Sequence, residues 1–157
     1  MASIELYSGT DPQVIEFEQA TATPAFDAGD LVTMASGAGV VIASSDGVYL
    51  GIARTGSDTL VVSPNKKIPV ELLNANSIYS VRLATTAVGD NCSAASSTLA
   101  GEGVGVTQFT KSAQMWSDST ILSGVCVGLD PRESTTGVVN GRILVRFLSS
   151  VANQVVY

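Results

Sequence analysis

Histidine is absent from this 157-residue chain, and that absence excludes a large part of enzyme chemistry. No Ser-His-Asp or Cys-His arrangement can be assembled, the usual zinc sites lose their commonest ligand, and the most frequent general base near neutrality is missing. Cysteine occurs only twice, as Cys92 and Cys126. Two thiols permit one disulfide at most; with Cys92 in a Ser/Ala-rich stretch and Cys126 inside an expected strand, both are expected to be reduced, in a protein made in a reducing cytoplasm. Lys and Arg are missing from residues 1–53, where Glu5, Asp11, Glu16, Glu18, Asp27, Asp30 and Asp46 stand alone. An acidic chain with no basic run and a single Trp is a poor partner for nucleic acid, because neutralising phosphates takes clustered positive charge. Long apolar runs are missing too: the longest charge-free stretch, residues 31–45, is broken by Gly37 and Gly39, and the start of the chain has no basic region leading into an apolar core. Neither a membrane anchor nor a signal peptide is expected.

Charged residues make up 14% of the chain against about 25% in an average soluble domain, while 45% are apolar. So few charges leave neutral Ser, Thr, Ala and Gly to cover the surface, a composition that suits either a bland polar exterior or a face kept for another protein. The acidic front of the chain fits a basic partner, and equally a solvated acidic face.

What is present is mostly strand pattern. Residues 31–34, 40–43, 48–53, 59–62, 68–73 and 78–83 read as short strands separated by Gly-, Ser- and Asp-rich turns, and residues 104–109, 113–116, 121–129 and 141–148 continue the series. A unit occurs twice. Gly47-Val48-Tyr49-Leu50-Gly51-Ile52 recurs as Gly124-Val125-Cys126-Val127-Gly128-Leu129, and each copy leads to a second matching strand, Ile68-Pro69-Val70-Glu71-Leu72 or Ile143-Leu144-Val145-Arg146-Phe147. Gly51 and Gly128 are the expected close-packed positions of the two copies. The small-residue stretch 84–103 is the one place for a short helix or a long covering loop. The fold class expected is all-β, built of small antiparallel barrel or β-tulip modules, with an arm over residues 1–24 and pseudo-repeat halves at about 25–83 and 102–150. The arm has a plainer alternative as the first strand of the domain, because residues 14–18 alternate as a strand with one wet face would.

Candidate chemistry is thin. Asp46, Asp58, Asp90 and Asp130 are scattered singly rather than paired across a cleft, as a carboxylate mechanism requires. Gly101-Glu102-Gly103-Val104-Gly105 runs into a strand and not a helix, unlike a dinucleotide fingerprint. Asp27-Ala28-Gly29-Asp30 lacks the alternating ligands of a calcium loop. No catalytic, metal-binding or cofactor-binding residue is assigned, and no cofactor is expected.

The segment Phe26-Asp27-Ala28-Gly29-Asp30-Leu31-Val32, followed by Gly39-Val40-Val41-Ile42-Ala43 and Leu50-Gly51-Ile52-Ala53, resembles the small capsid decoration (cement) proteins of tailed bacteriophages. The resemblance implies a non-enzymatic virion protein on the outer capsid surface that clamps neighbouring major capsid subunits, with the major capsid protein and copies of itself, as trimer or dimer, for partners. It implies contacts through the N-terminal segment, for which Ile4, Leu6, Tyr7, Val14 and Phe17 supply apolar groups and Glu16 and Glu18 acidic ones. Neither nucleic acid nor membrane is an expected partner. A tail-tube or fibre protein, or a carbohydrate- or small-ligand-binding β module, are the alternatives; Trp116, the only Trp, offers the last little to build on.

Overall fold

The computed structural model of the protein describes residues 4–20, 25–35, 39–43, 49–57, 66–83, 103–110, 113–118, 123–132 and 141–152. The expected strand at 59–62, the small-residue stretch 84–102, the loop at 133–137, Cys92 and residues 153–157 lie outside them. The described residues are all-β, without a helix. Their strands are β1 (Ile4–Ser8), β2 (Val14–Glu18), β3 (Leu31–Met34), β4 (Val40–Ile42), β5 (Gly51–Ala53), β6 (Lys67–Leu72), β7 (Ile78–Leu83), β8 (Gly103–Thr110), β9 (Ala113–Asp118), β10 (Gly124–Leu129) and β11 (Arg142–Phe147). They form two sheets, one ordered β2-β6-β5-β3-β4 and the other β1-β7-β11-β10-β8-β9.

Alternation along the strands decides what is buried. Ile68, Val70 and Leu72 of β6 turn inward with Phe26, Val32, Val40, Ile42, Leu50 and Ala53 to make the core of the first sheet, and Phe17 packs against it. Ile143, Val145 and Phe147 of β11 do the same in the second sheet. That second core also takes in Leu31, Tyr49, Ile52 and Leu73 from the first half, so one apolar cluster joins the two halves.

The repeat seen in the sequence extends to whole sheets. In the first, Val32 pairs with Gly51, and Gly51 with Leu72. In the second, Val104 pairs with Gly124, and Gly124 with Phe147. The outer partner of β6 is β2, with Ile15 opposite Val70; the matching partner of β11 is β7, with Tyr79 opposite Val145. Each five-stranded unit then curls until its two end strands meet. Gln19 bridges Val40 in parallel in one half, and Leu83 pairs with Trp116 in parallel in the other. These contacts are short, so neither sheet is a closed barrel. The units related in this way are β2 to β6 and β7 to β11; β7, which the sequence reading put in the first half, pairs within the second sheet.

This correspondence moves one of the glycines. The counterpart of Gly51 is Gly124, not Gly128. A Cβ at Gly51 would overlap the carbonyl oxygen of Glu71 and lie 2.6 Å from Val70 Cγ1; at Gly124 it would lie 2.5 Å from Val145 Cγ1 and 2.8 Å from the carbonyl oxygen of Arg146. Nothing stands within 4 Å of a Cβ at Gly128, whose φ of 151° belongs to the irregularity where pairing with β11 slips between Cys126 and Gly128. The sequence expectation of a crowded Gly128 is therefore corrected. Gly51→Val and Gly124→Val should each cost about 3 kcal/mol or more, through backbone displacement. Gly128→Ala should cost only the strain of its backbone angle, on the order of 1–2 kcal/mol. Thermal denaturation of the three variants checks the order, and a Gly128 variant as damaged as the other two would contradict it.

Candidate interaction surface

Within the N-terminal segment two stretches are paired strands: β1 runs along β7 in one sheet, and β2 along β6 in the other. The seven residues singled out from the sequence are thereby split between two sheets. On β1, Ile4 is 1% exposed and belongs to the shared core, its amide donating to the Gly29 carbonyl at 3.0 Å. It has no surface to offer a partner. Leu6 packs half-buried beside it, and Tyr7 is exposed under the Arg132 guanidinium, 5.1 Å from the ring centre. On β2, Val14 is 48% exposed, Glu16 and Glu18 are exposed, and Phe17 is half-buried against the first core. Ile15, absent from the sequence-derived set, is 37% exposed on the Phe17 side of the strand, although Ile at that place in the alternation should be covered.

Beside β1 lies a charge network that no local motif announces. Asp130, buried just after β10, accepts a hydrogen bond from Ser80 Oγ at 2.5 Å and others from Arg132, from its amide at 3.0 Å, Nε at 2.9 Å and Nη2 at 2.6 Å. Arg132 also reaches Glu5 Oε1 at 2.7 Å. Arg142, itself buried, donates to Ser80 Oγ and to the Ser80 carbonyl, each at 2.7 Å. Hydrogen bonds from Arg132 hold the Asp130 carboxyl down at about 2, with help from Ser80 and against the cost of burial. The network ties β1, β7, β10 and β11 together from outside the core.

A second buried carboxylate lies at the junction of the halves. Glu71 on β6 pairs with Arg54 through Oε2, while Oε1 finds no hydrogen-bond partner. Burial pushes its carboxyl up, and Arg54 only partly opposes this. Glu71 lines a cleft of about 930 Å³ together with Glu5, Asp27, Arg54, Ile4 and Leu6. Among the described residues no three His, Cys, Asp or Glu side chains are grouped to hold a metal ion. Comparison of the chain with models of known protein families finds no match, and comparison with curated proteins finds none either.

The two carboxylates give opposite pH signs. Asp130 sits below its ordinary 3.8, so its contribution is fully present above pH 3.8 and is lost as the pH falls through about 2. Glu71 sits above its ordinary value, so its contribution is present at low pH and is lost as the pH rises through the raised value. Asp130→Asn should cost about 1–2 kcal/mol at pH 7, after allowance for the half-exposed Arg132, and should flatten the acid limb between pH 4 and 2. Urea denaturation at pH 7 and pH 3 measures both; an acid limb unchanged by the substitution would remove Asp130 as its cause.

Proposed function

We propose that the protein is a non-enzymatic structural component of a phage head that binds the outer surface of the capsid and clamps neighbouring major capsid subunits. The observation that carries this reading is the exposed strand β2, where Val14, Ile15, Glu16 and Glu18 stand together on the rim of the first sheet. Apolar groups and strand backbone left unpaired among the described residues at one edge are what a partner sheet can add to, and such edges are usually blunted. The segments that resemble decoration proteins support it as well. They make one contiguous piece of structure, with Leu31 opposite Ile52 and Val32 opposite Ile42, so they work as a module and not as scattered matches.

Two sheets that share a five-strand order, joined by one apolar cluster, make a single body with two related edges. A body of this kind can bridge two neighbouring subunits, and many copies acting together stabilise a shell even when each contact is weak. Purified protein mixed with expanded capsid shells of the phage or prophage that encodes it should co-sediment to a fixed molar ratio to the major capsid protein. Glu16→Lys with Glu18→Lys should lower the bound fraction at least about fivefold, in line with loss of charge complementarity at a protein interface. Absence of saturable binding would turn the reading toward a tail component or a ligand-binding module. Deleting residues 1–23 is not a clean test, because it takes Ile4 out of the shared core and strips an outer strand from each sheet; loss of a buried Ile alone costs about 2–5 kcal/mol.

A further inference from the structure

The correspondence between the two sheets breaks at one place. In the second sheet, the N-terminal part of β7 is paired on both sides, with β11 and with β1, while its C-terminal end pairs with β9. In the first sheet, β2 has the matching neighbours in β6 and, through Gln19, in β4, but among the described residues no strand lies where β1 lies on β7. Superposing the registers puts Glu16 in the place of Ser80, Ile15 in that of Tyr79 and Phe17 in that of Val81. Their burial differs accordingly: Tyr79 is 1% exposed beneath β1, whereas Ile15 is 37% exposed. We propose that the open edge of β2 is a strand-acceptor site, filled by an extended segment of a partner protein in the way β1 fills the edge of β7.

The backbone is set for this. Gln19 donates to the Lys66 carbonyl, and Leu72 donates to the Gln13 carbonyl, which points the odd-numbered residues of this segment at β6. Alternation then turns the N–H and C=O of Val14 and Glu16 to the open side, the groups an added antiparallel strand bonds. The pairing of β1 with β7 gives the pattern of the incoming strand. Ile4 faces Val81, Glu5 faces Ser80 and Leu6 faces Tyr79, so the added segment needs an apolar residue opposite Phe17 and another opposite Ile15. Between them, where β1 carries Glu5, it needs Lys or Arg, because it meets Glu16, which makes no ion pair among the described residues. The preferred segment is apolar-basic-apolar. A second copy pairing through its own β2, centred on Glu16, would set like charges face to face, which disfavours self-association there. The seats also discriminate by charge, since Arg132 and Arg142 beside Glu5 repel a basic residue from the edge of β7. The inference concerns the chemistry of the added strand and does not depend on the partner's being a capsid subunit.

The test is an NMR titration of the ¹⁵N-labelled full chain with a peptide Ser-Ile-Lys-Leu-Tyr-Ser-Gly, which is residues 3–9 with Glu5→Lys. The amides of Val14 and Glu16 should shift to saturation, and the same peptide with Glu retained should bind about fivefold more weakly. In the Glu16→Lys variant that preference should invert. Glu16→Pro removes an N–H that the ladder to β6 does not use, so it should abolish binding of both peptides while the amides of β5 and β11 keep their positions. Shifts confined to β7, no shifts at millimolar peptide, or a preference unmoved by Glu16→Lys would overturn the proposal. Concentration-dependent shifts of β2 without peptide would assign the edge to a second copy and overturn it as well.

Discussion

Phe147 holds the two halves together. Its ring receives Tyr49 from the first half edge-on at 6.2 Å and Tyr79 from the second at 5.2 Å, with interplanar angles of 81° and 74°. Such pairs add about 0.5–1.5 kcal/mol each beyond the area they bury, and they hold only if the buried hydroxyls are satisfied. Both are. Tyr49 Oη shares a hydrogen bond with Ser123 Oγ at 2.9 Å, and Tyr79 Oη accepts one from the Asn74 amide at 2.9 Å. The Tyr49 amide donates to the Val151 carbonyl at 2.8 Å and so ties the first half to the turn that follows β11. Parting the halves would strand these polar groups and expose three aromatic rings, so the sheets behave as one body.

Within that body, the two units keep the same register even where their side chains have diverged. Gly51 and Gly124 allow the close backbone approach that both need, and Ile68 and Val70 in one unit are matched by Ile143 and Val145 in the other. The differences lie on the outside. The second unit carries β1 and the network of Asp130, Arg132 and Arg142, which between them cover its edge; the first unit carries an acidic rim at Glu16 and Glu18, with Lys67 meeting Glu18 at 3.2 Å. An arrangement with one edge occupied from within and its counterpart open is what distinguishes the faces of an otherwise repeated structure.

The alternation of residues 68–72, 78–83 and 142–147 made the strands legible, because one side of each is apolar and the period is two. The repeat was legible too, but its alignment was not. Gly47 and Gly51 have the same spacing as Gly124 and Gly128, and a string of letters does not reveal which glycine of each pair lies under a neighbouring backbone. Residues 14–18 announced a strand with a wet face. The burial of Ile4 had no such signal, since a short apolar patch reads alike in a free arm and in a strand under a second sheet. Asp130 looked like a lone turn residue because its main partner outside its own loop, Ser80, is fifty positions away, and Ile15 was passed over because its exposure follows from the place of β2 at the edge of the described sheet.

The repeated β architecture and the acidic edge of β2 are what the proposal of a protein that binds other protein surfaces rests on. Amide hydrogen exchange, comparing the free protein with protein bound to capsid shells, tests that account most directly. The amides of Val14 and Glu16, which face away from β6, should exchange fast in the free protein and slow on binding, while β7, already covered by β1, should be slow throughout. Saturable binding with the Val14 and Glu16 amides exchanging as fast as before would contradict a role for this edge.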